Sequence, residues 1–86
     1  SVSEDLATLR ALAADAPGEA VRALAHRIKG GAKMLKVRTL VHDCEAIEQA
    51  QGQGLPTTDL RLQLQASLET LLDELGDALN AIAASN

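Results

Sequence analysis

The residues best placed to do chemistry in this chain lie in the stretch Ala25-His26-Arg27-Ile28-Lys29-Gly30-Gly31. On a helix advancing about 100° per residue, Val21, Leu24, Ala25, Ile28, Gly31, Ala32 and Leu35 share one side. Glu19, Arg22, Lys29, Gly30 and Lys33 gather within about 60° of His26 on the other. The histidine therefore stands at the centre of a polar stripe that faces away from a core. One turn along lie a lysine and a glycine, and the glycine leaves a gap beside the ring. An exposed imidazole is a nucleophile at neutral pH, because it ordinarily titrates near about 6.5 and so keeps a free lone pair at pH 7. A cation and a gap beside it suit attack on a bulky anionic group. The competing reading is a solvated helix face that does no chemistry.

The remaining candidates are weaker. Cys44 is the only cysteine, so it forms no internal disulfide and fits a reducing compartment. It falls on an apolar stripe and reads as a small buried residue rather than a redox centre. His42 lies nearly opposite, among Asp43 and Glu45, with no partner at metal-ligand spacing, and reads as an exposed helix residue. No metal site is expected.

These residues need helices to position them, and the composition supplies helices. The chain has 86 residues, enough for one domain with one core. Its apolar content is 47%, without a single Phe, Tyr or Trp, so alanine and leucine dominate. Such side chains favour helix, and interdigitated helices pack without aromatics. The missing aromatics argue against base stacking on single-stranded nucleic acid, and the net charge of −4 disfavours DNA and anionic membranes. Yet six of the eight basic residues (Arg22, Arg27, Lys29, Lys33, Lys36 and Arg38) fall together with no acid among them. One face of an acidic protein is thus locally positive. No apolar run reaches the roughly 20 residues of a membrane span. A first residue that is Ser rather than Met fits a module excised from a longer chain.

In chain order, a first helix is expected over about residues 3–14, with Ser1 and Glu4 as a capping box and Leu6, Leu9, Leu12 and Ala13 as its core stripe. Pro17 opens the second helix, over about 17–35. Gly30 and Gly31 each cost that helix about 1 kcal/mol relative to alanine. Gly31, on the core side, is expected to let a neighbouring helix approach, and Gly30 to give access to the imidazole. A third helix, about 38–51, carries Leu40, Cys44, Ile47 and Gln51 on one stripe. Gly52-Gln53-Gly54-Leu55-Pro56 is a loop, after which Thr57 or Thr58 caps a last helix over about 58–83. Leu64, Leu68, Leu71, Leu75, Leu79 and Ile82 form its seam, expected to be mostly core, with dimerisation open as a second use. Short connections imply antiparallel neighbours, so the expected architecture is an all-α, up-down-up-down four-helix bundle occupying residues 1–86 as one domain.

Residues 25–37, Ala-His-Arg-Ile-Lys-Gly-Gly-Ala-Lys-Met-Leu-Lys-Val, resemble the signature of histidine-containing phosphotransfer (HPt) domains. That signature is His-x-x-Lys-Gly on a bundle helix, followed by a hydrophobic pair bracketing a turn. The run from Leu40 to Ala50 is similar to the family's next helix, where a cysteine and an Ile/Leu-Glu pair recur. The resemblance implies that His26 accepts a phosphoryl group from the aspartyl phosphate of one receiver domain and passes it to another in a two-component phosphorelay. It implies that Lys29 stabilises the phosphoryl oxygens, Gly30 gives access, and Glu48 orients the imidazole from the next helix. It further implies a phosphocarrier with no ATP site or cofactor of its own, Mg²⁺ belonging to the receiver. Receiver docking is expected at Arg22, Arg27, Lys33 and Met34, with Leu6 and Leu9 as further apolar contacts. A cytoplasmic monomer is expected, at the cytosolic end of a hybrid sensor histidine kinase if the chain is part of one. Lys36 departs from the family, which commonly has glycine there to take a left-handed helix end. A dimerising kinase domain fits less well, since Arg27 stands where that class has an acid. The rival from another class is a helical interaction or dimerisation module whose histidine is silent.

Overall fold

The structure, a computed structural model, describes residues 1–85 and contains four helices; Asn86, the last residue of the expected domain, lies outside the described residues. They are α1 (Val2–Ala11), α2 (Gly18–Leu35), α3 (Arg38–Gly52) and α4 (Thr58–Ser85). Each packs on the next, and α4 closes back onto α1, so α2 and α4 lie diagonally across the bundle. Cross-links show the antiparallel order. Arg10 pairs with Glu69 while Arg61 reaches Leu12, and Asp5 pairs with Arg27 while Val2 shares a groove with Leu35.

The core is aliphatic throughout. Leu6 and Leu9 of α1 meet Val21, Leu24, Ala25, Ile28 and Ala32 of α2, Leu40, Cys44 and Ile47 of α3, and Leu64 and Leu68 of α4. Leu6 and Leu9 are therefore interior residues and not the docking contacts expected of them. Burying a leucine contributes roughly 1.5–3 kcal/mol, and alanines and a cysteine between the leucines let the helices close up without aromatic fillers.

Helix α1 stops at Ala11, short of the expected residue 14, because Leu12 turns extended (φ −66°, ψ 126°). The chain leaving this end is held by the neighbouring α4: Arg61 donates from Nη2 to the oxygen of Leu12, the capping residue, at 3.1 Å and to that of Ala13 at 3.2 Å. At its start, Ser1 Oγ accepts from the Glu4 amide at 3.3 Å, as the expected capping pair requires.

Helix α2 ends where expected, and Lys36 takes the left-handed conformation (φ 60°, ψ 35°) for which the resemblance led glycine to be expected. Its amide bonds to the Lys33 carbonyl at 3.2 Å and the Val37 amide to that of Ala32 at 3.0 Å. Together these form a Schellman ending, with Val37 packed against the core. The turn that follows the histidine helix thus persists without its glycine.

Two core expectations are corrected. The seam of α4 is interior only through Leu68, with Leu71 and Leu72 half-buried; Leu75 and Leu79 are 44% and 67% exposed, and Ile82 is exposed too. A helix of 28 residues runs about 42 Å, longer than its 10-residue neighbour α1 can cover. The molecule is accordingly 51 Å long and only 23 by 17 Å across. Gly31 and Leu35 are likewise exposed: no helix approaches Gly31, and a Cβ there would meet nothing within 4 Å. Both border an open groove of about 600 Å³ between α1 and α2, together with Arg27 and Met34, over a floor of Ile28, Ala32, Leu40 and Leu68.

Candidate functional site

His26 projects from the middle of α2 with its side chain 74% exposed. The apolar side of α2 is fixed by Val21, Leu24, Ala25, Ile28 and Ala32, all buried, so the ring has no choice but to face out. Behind it stands α3, the neighbour with which α2 shares its most extensive contact. Ile47 is fully buried in that contact, and the next residue, Glu48, is thereby carried to the rim, where it meets two residues of the α2 stripe.

The Glu48 carboxylate lies between His26 and Lys29. Its Oε1 is 3.7 Å from His26 Nδ1 and 3.0 Å from Lys29 Nζ. Lys29 Nζ also lies 3.2 Å from Oε2, so the ammonium sits against both carboxylate oxygens. The Lys29 and Glu48 side chains are only 16% and 21% exposed. A carboxylate and an ammonium this far out of water hold each other more firmly than a surface pair would. Nδ1 is the ring nitrogen that faces this pair.

Gly30 lies one turn below the ring. A Cβ built there would meet nothing within 4 Å, so the space beside the imidazole is open. The surrounding cations divide into two sets. Arg22 pairs with Glu19 at 3.3 Å, and Arg27 turns toward α1 to pair with Asp5 at 3.1 Å. Lys33, Lys36 and Arg38 have no ion pair among the described residues and form the free positive rim. Met34, beside them, is 86% exposed.

Cys44 is wholly buried, and its thiol is pushed up to about 12, first by burial and then by the charges of Asp43 and Glu48. It is protonated and inert at neutral pH, as its place on the stripe implied. His42 is exposed, and no group of metal-binding residues occurs among the described residues. Sequence reasoning missed Asp43, which is buried and accepts a hydrogen bond from Ser67 Oγ at 2.5 Å, tying α3 to α4. The available signal was its spacing, three residues after Leu40 and four before Ile47, both core positions.

The bundle thus holds His26 out to solvent with the Glu48 carboxylate behind it and lysine and arginine side chains along the same helix. A family model described as Hpt domain matches residues 1–85, and the chain belongs to that family, whose members perform histidine phosphotransfer with receiver domains in phosphorelays. No curated protein and no solved structure matches the chain. Among the described residues no helix is long and apolar enough to cross a membrane.

Proposed function

We propose that His26 is the phosphoacceptor of this module, taking a phosphoryl group from a receiver aspartate and giving it to a second receiver. The observation that carries this reading is the exposed imidazole with Nδ1 beside a carboxylate and Gly30 open next to it. In the forward step the Nε2 lone pair attacks phosphorus, the P–O bond to the aspartate breaks, and that electron pair returns to the aspartate carboxylate. The ring keeps its Nδ1 proton and becomes a cation, which Glu48 is placed to stabilise. Lys29, one turn along, supplies positive charge toward the phosphoryl oxygens, where positioning and electrostatics account for most of the catalysis. The chain contributes no nucleotide site to this scheme, and Mg²⁺ belongs with the receiver.

The receiver, acidic around its aspartate, is steered by Lys33 and the neighbouring free cations, and rests on Met34 at the mouth of the α1–α2 groove. Arg22 and Arg27 lie within this surface but enter it already paired, so they shape it more than they attract. The module acts as a cytoplasmic monomer in this scheme, within a hybrid sensor kinase or beside one.

The test is phosphotransfer from a phosphorylated receiver with Mg²⁺, comparing the chain with its His26→Gln variant. Acid-labile, alkali-stable phosphate on the first and none on the second is the expected result. Label that survives the substitution moves the acceptor elsewhere. Absence of label from several receivers, with helicity intact, supports a silent interaction module instead.

A further inference from the structure

Two apolar surfaces of the molecule face solvent, and both lie at the same end of the bundle. One is the groove of about 600 Å³ between α1 and α2, with exposed Met34 and Leu35 on its rim and Ile28, Ala32, Leu40 and Leu68 beneath. The other is the far end of α4. The Asp43–Ser67 hydrogen bond sets α3 against α4; α3 begins little more than a turn away at Arg38, whereas α4 runs on to Ser85. Helix α4 therefore projects past the α2–α3 turn as an overhang, and residues 77–84 are all exposed.

The overhang is patterned along its length. Leu75, Leu79 and Ile82, spaced by four and three, carry exposed side chains on one stripe, about 10 Å long at 1.5 Å per residue. Its charges are all acidic and all at its base: Asp73, Glu74 and Asp77, with none from residue 78 onward. At the same end of the bundle stand the cations Lys33, Lys36 and Arg38. None of these six charges enters an ion pair among the described residues. The groove thus has cations beside its entrance and apolar surface within, and the overhang has acids at its base and apolar surface beyond. The two match in order. Helix α4 is continuous from Thr58 to Ser85, so its tip points away from the groove of its own chain.

We propose that the α4 overhang of one copy lies in the α1–α2 groove of a second, and the second's in the first, in a two-fold pair that covers the receiver-facing surface. Two inverted bundles meet with their α2–α3 turns facing, and each overhang runs on along the other's groove. The exchange is reciprocal and closed, so it stops at two copies. The acids at the base of each overhang stand against the cations of the other copy's turn, and Leu79 and Ile82 enter the groove. There Gly31 leaves room for a helix backbone, since a Cβ at that position would meet nothing within 4 Å. Overhangs paired in parallel would instead set Asp73 against Asp73 and Asp77 against Asp77, a like-charge cost. Overhangs paired antiparallel avoid that cost but leave both grooves open and both cationic rims unused.

Two short helices in two grooves fall at the low end of interface sizes, below about 1,200 Å² in total, so the pair is weak and forms where copies are concentrated. This agrees with a module that transfers as a monomer. The same cations and the same Met34 serve the receiver, so a paired copy cannot take one. The covering role rests on the proposed function; the pairing itself does not.

The experiment is a dilution series of the chain from roughly 1 mM to roughly 10 μM, the range in which a weak pair dissociates. Sedimentation equilibrium with interference optics gives the mass, the chain having no Trp or Tyr to absorb, and two-dimensional amide NMR maps the contact. With rising concentration the mass should climb from 9.0 kDa toward twice that value, and the amides of residues 28–35 and 75–84 should shift together on one binding curve. Leu79→Glu on the overhang and Leu35→Glu on the groove rim, both at exposed positions, should each hold the chain at the mass of one copy throughout. If the first loses helicity, the second still decides. Transfer per copy from a phosphorylated receiver should fall severalfold across the series in the parent and stay level in Leu79→Glu. A mass fixed at 9.0 kDa at the highest concentration overturns the proposal. So do shifts confined to the overhang, which mean that overhangs pair with each other, and so does unaltered association in Leu35→Glu. Equal transfer behaviour in the two chains overturns the covering role. Absence of transfer in both counts against His26 as acceptor and leaves the pairing to the mass and the shifts.

Discussion

Gly30 offers a perturbation in which stability and function should move in opposite directions. Glycine inside a helix costs about 0.5–1 kcal/mol relative to alanine, through the backbone freedom it must give up. At most such positions the cost is offset by a neighbour that needs the room. At Gly30 no neighbour does, because a Cβ there would meet nothing within 4 Å. Gln, with a propensity close to that of Ala, should therefore stabilise the fold by about 0.5–1 kcal/mol in Gly30→Gln. In a domain of this size that raises the melting midpoint by roughly 3–7 °C. The same side chain, one turn from His26, fills the approach to a ring that is otherwise 74% exposed. A displacement of the incoming group by about 1 Å can cost on the order of 100-fold in rate, so transfer from a phosphorylated receiver should fall at least tenfold. Far-UV circular dichroism under urea reads the first effect, the chain having no Trp or Tyr to report by fluorescence. Labelled phosphoryl transfer reads the second. A variant that transfers at the parent rate refutes the access argument, and one that is less stable refutes the reading of Gly30 as an unneeded cost to the helix.

Leucines of the same seam should differ sharply: Leu68→Ala, at an interior position, should cost about 2–5 kcal/mol, and Leu79→Ala, on the exposed stretch of α4, within about 0.5 kcal/mol, both read from urea midpoints. Cys44 should resist alkylation in the folded chain and react on unfolding. Because its pKa is raised from 9.0 to about 12, the folded state keeps a proton that the unfolded state loses above pH 9. Stability should therefore fall with rising pH between 9 and 12, by up to about 1.4 kcal/mol per unit, and Cys44→Ala should lack that component; parallel pH profiles for the two chains would count against it.

The histidine's surroundings were legible in sequence because they depend on one helix and one neighbour. The 3.6-residue period fixed which residues of α2 share a face with His26, and the buried stripe of that helix agrees with it from Val21 through Ala32. Glu48 was placed by its resemblance to a family pattern, and the structure brings it to both His26 and Lys29. The Lys36 departure also resolved simply. The backbone hydrogen bonds of Lys36 and Val37 fix the helix end, and a left-handed lysine is tolerated there at roughly 1–2 kcal/mol.

What escaped the sequence was everything decided by where helices stop relative to one another. A wheel assigns Leu75 and Leu79 to the same side as Leu64 and Leu68, and they are on that side; the wheel cannot show that α1 has ended before it reaches them. Gly31 and Leu35 lie on the inward side of α2 where the open groove parts it from α1. Ion pairing is equally non-local. Arg22 and Arg27 look alike in sequence to Lys33, yet Asp5, 22 residues away, removes Arg27 from the free positive surface, and Arg61 leaves the surface to hold the chain at the end of α1. The positive face was visible as a cluster of six basic residues, but the part of it left without ion pairs is smaller. Helix lengths and cross-bundle partners select it, and they shift it toward the α2–α3 turn, where Lys33, Lys36 and Arg38 remain unpaired among the described residues beside an exposed Met34.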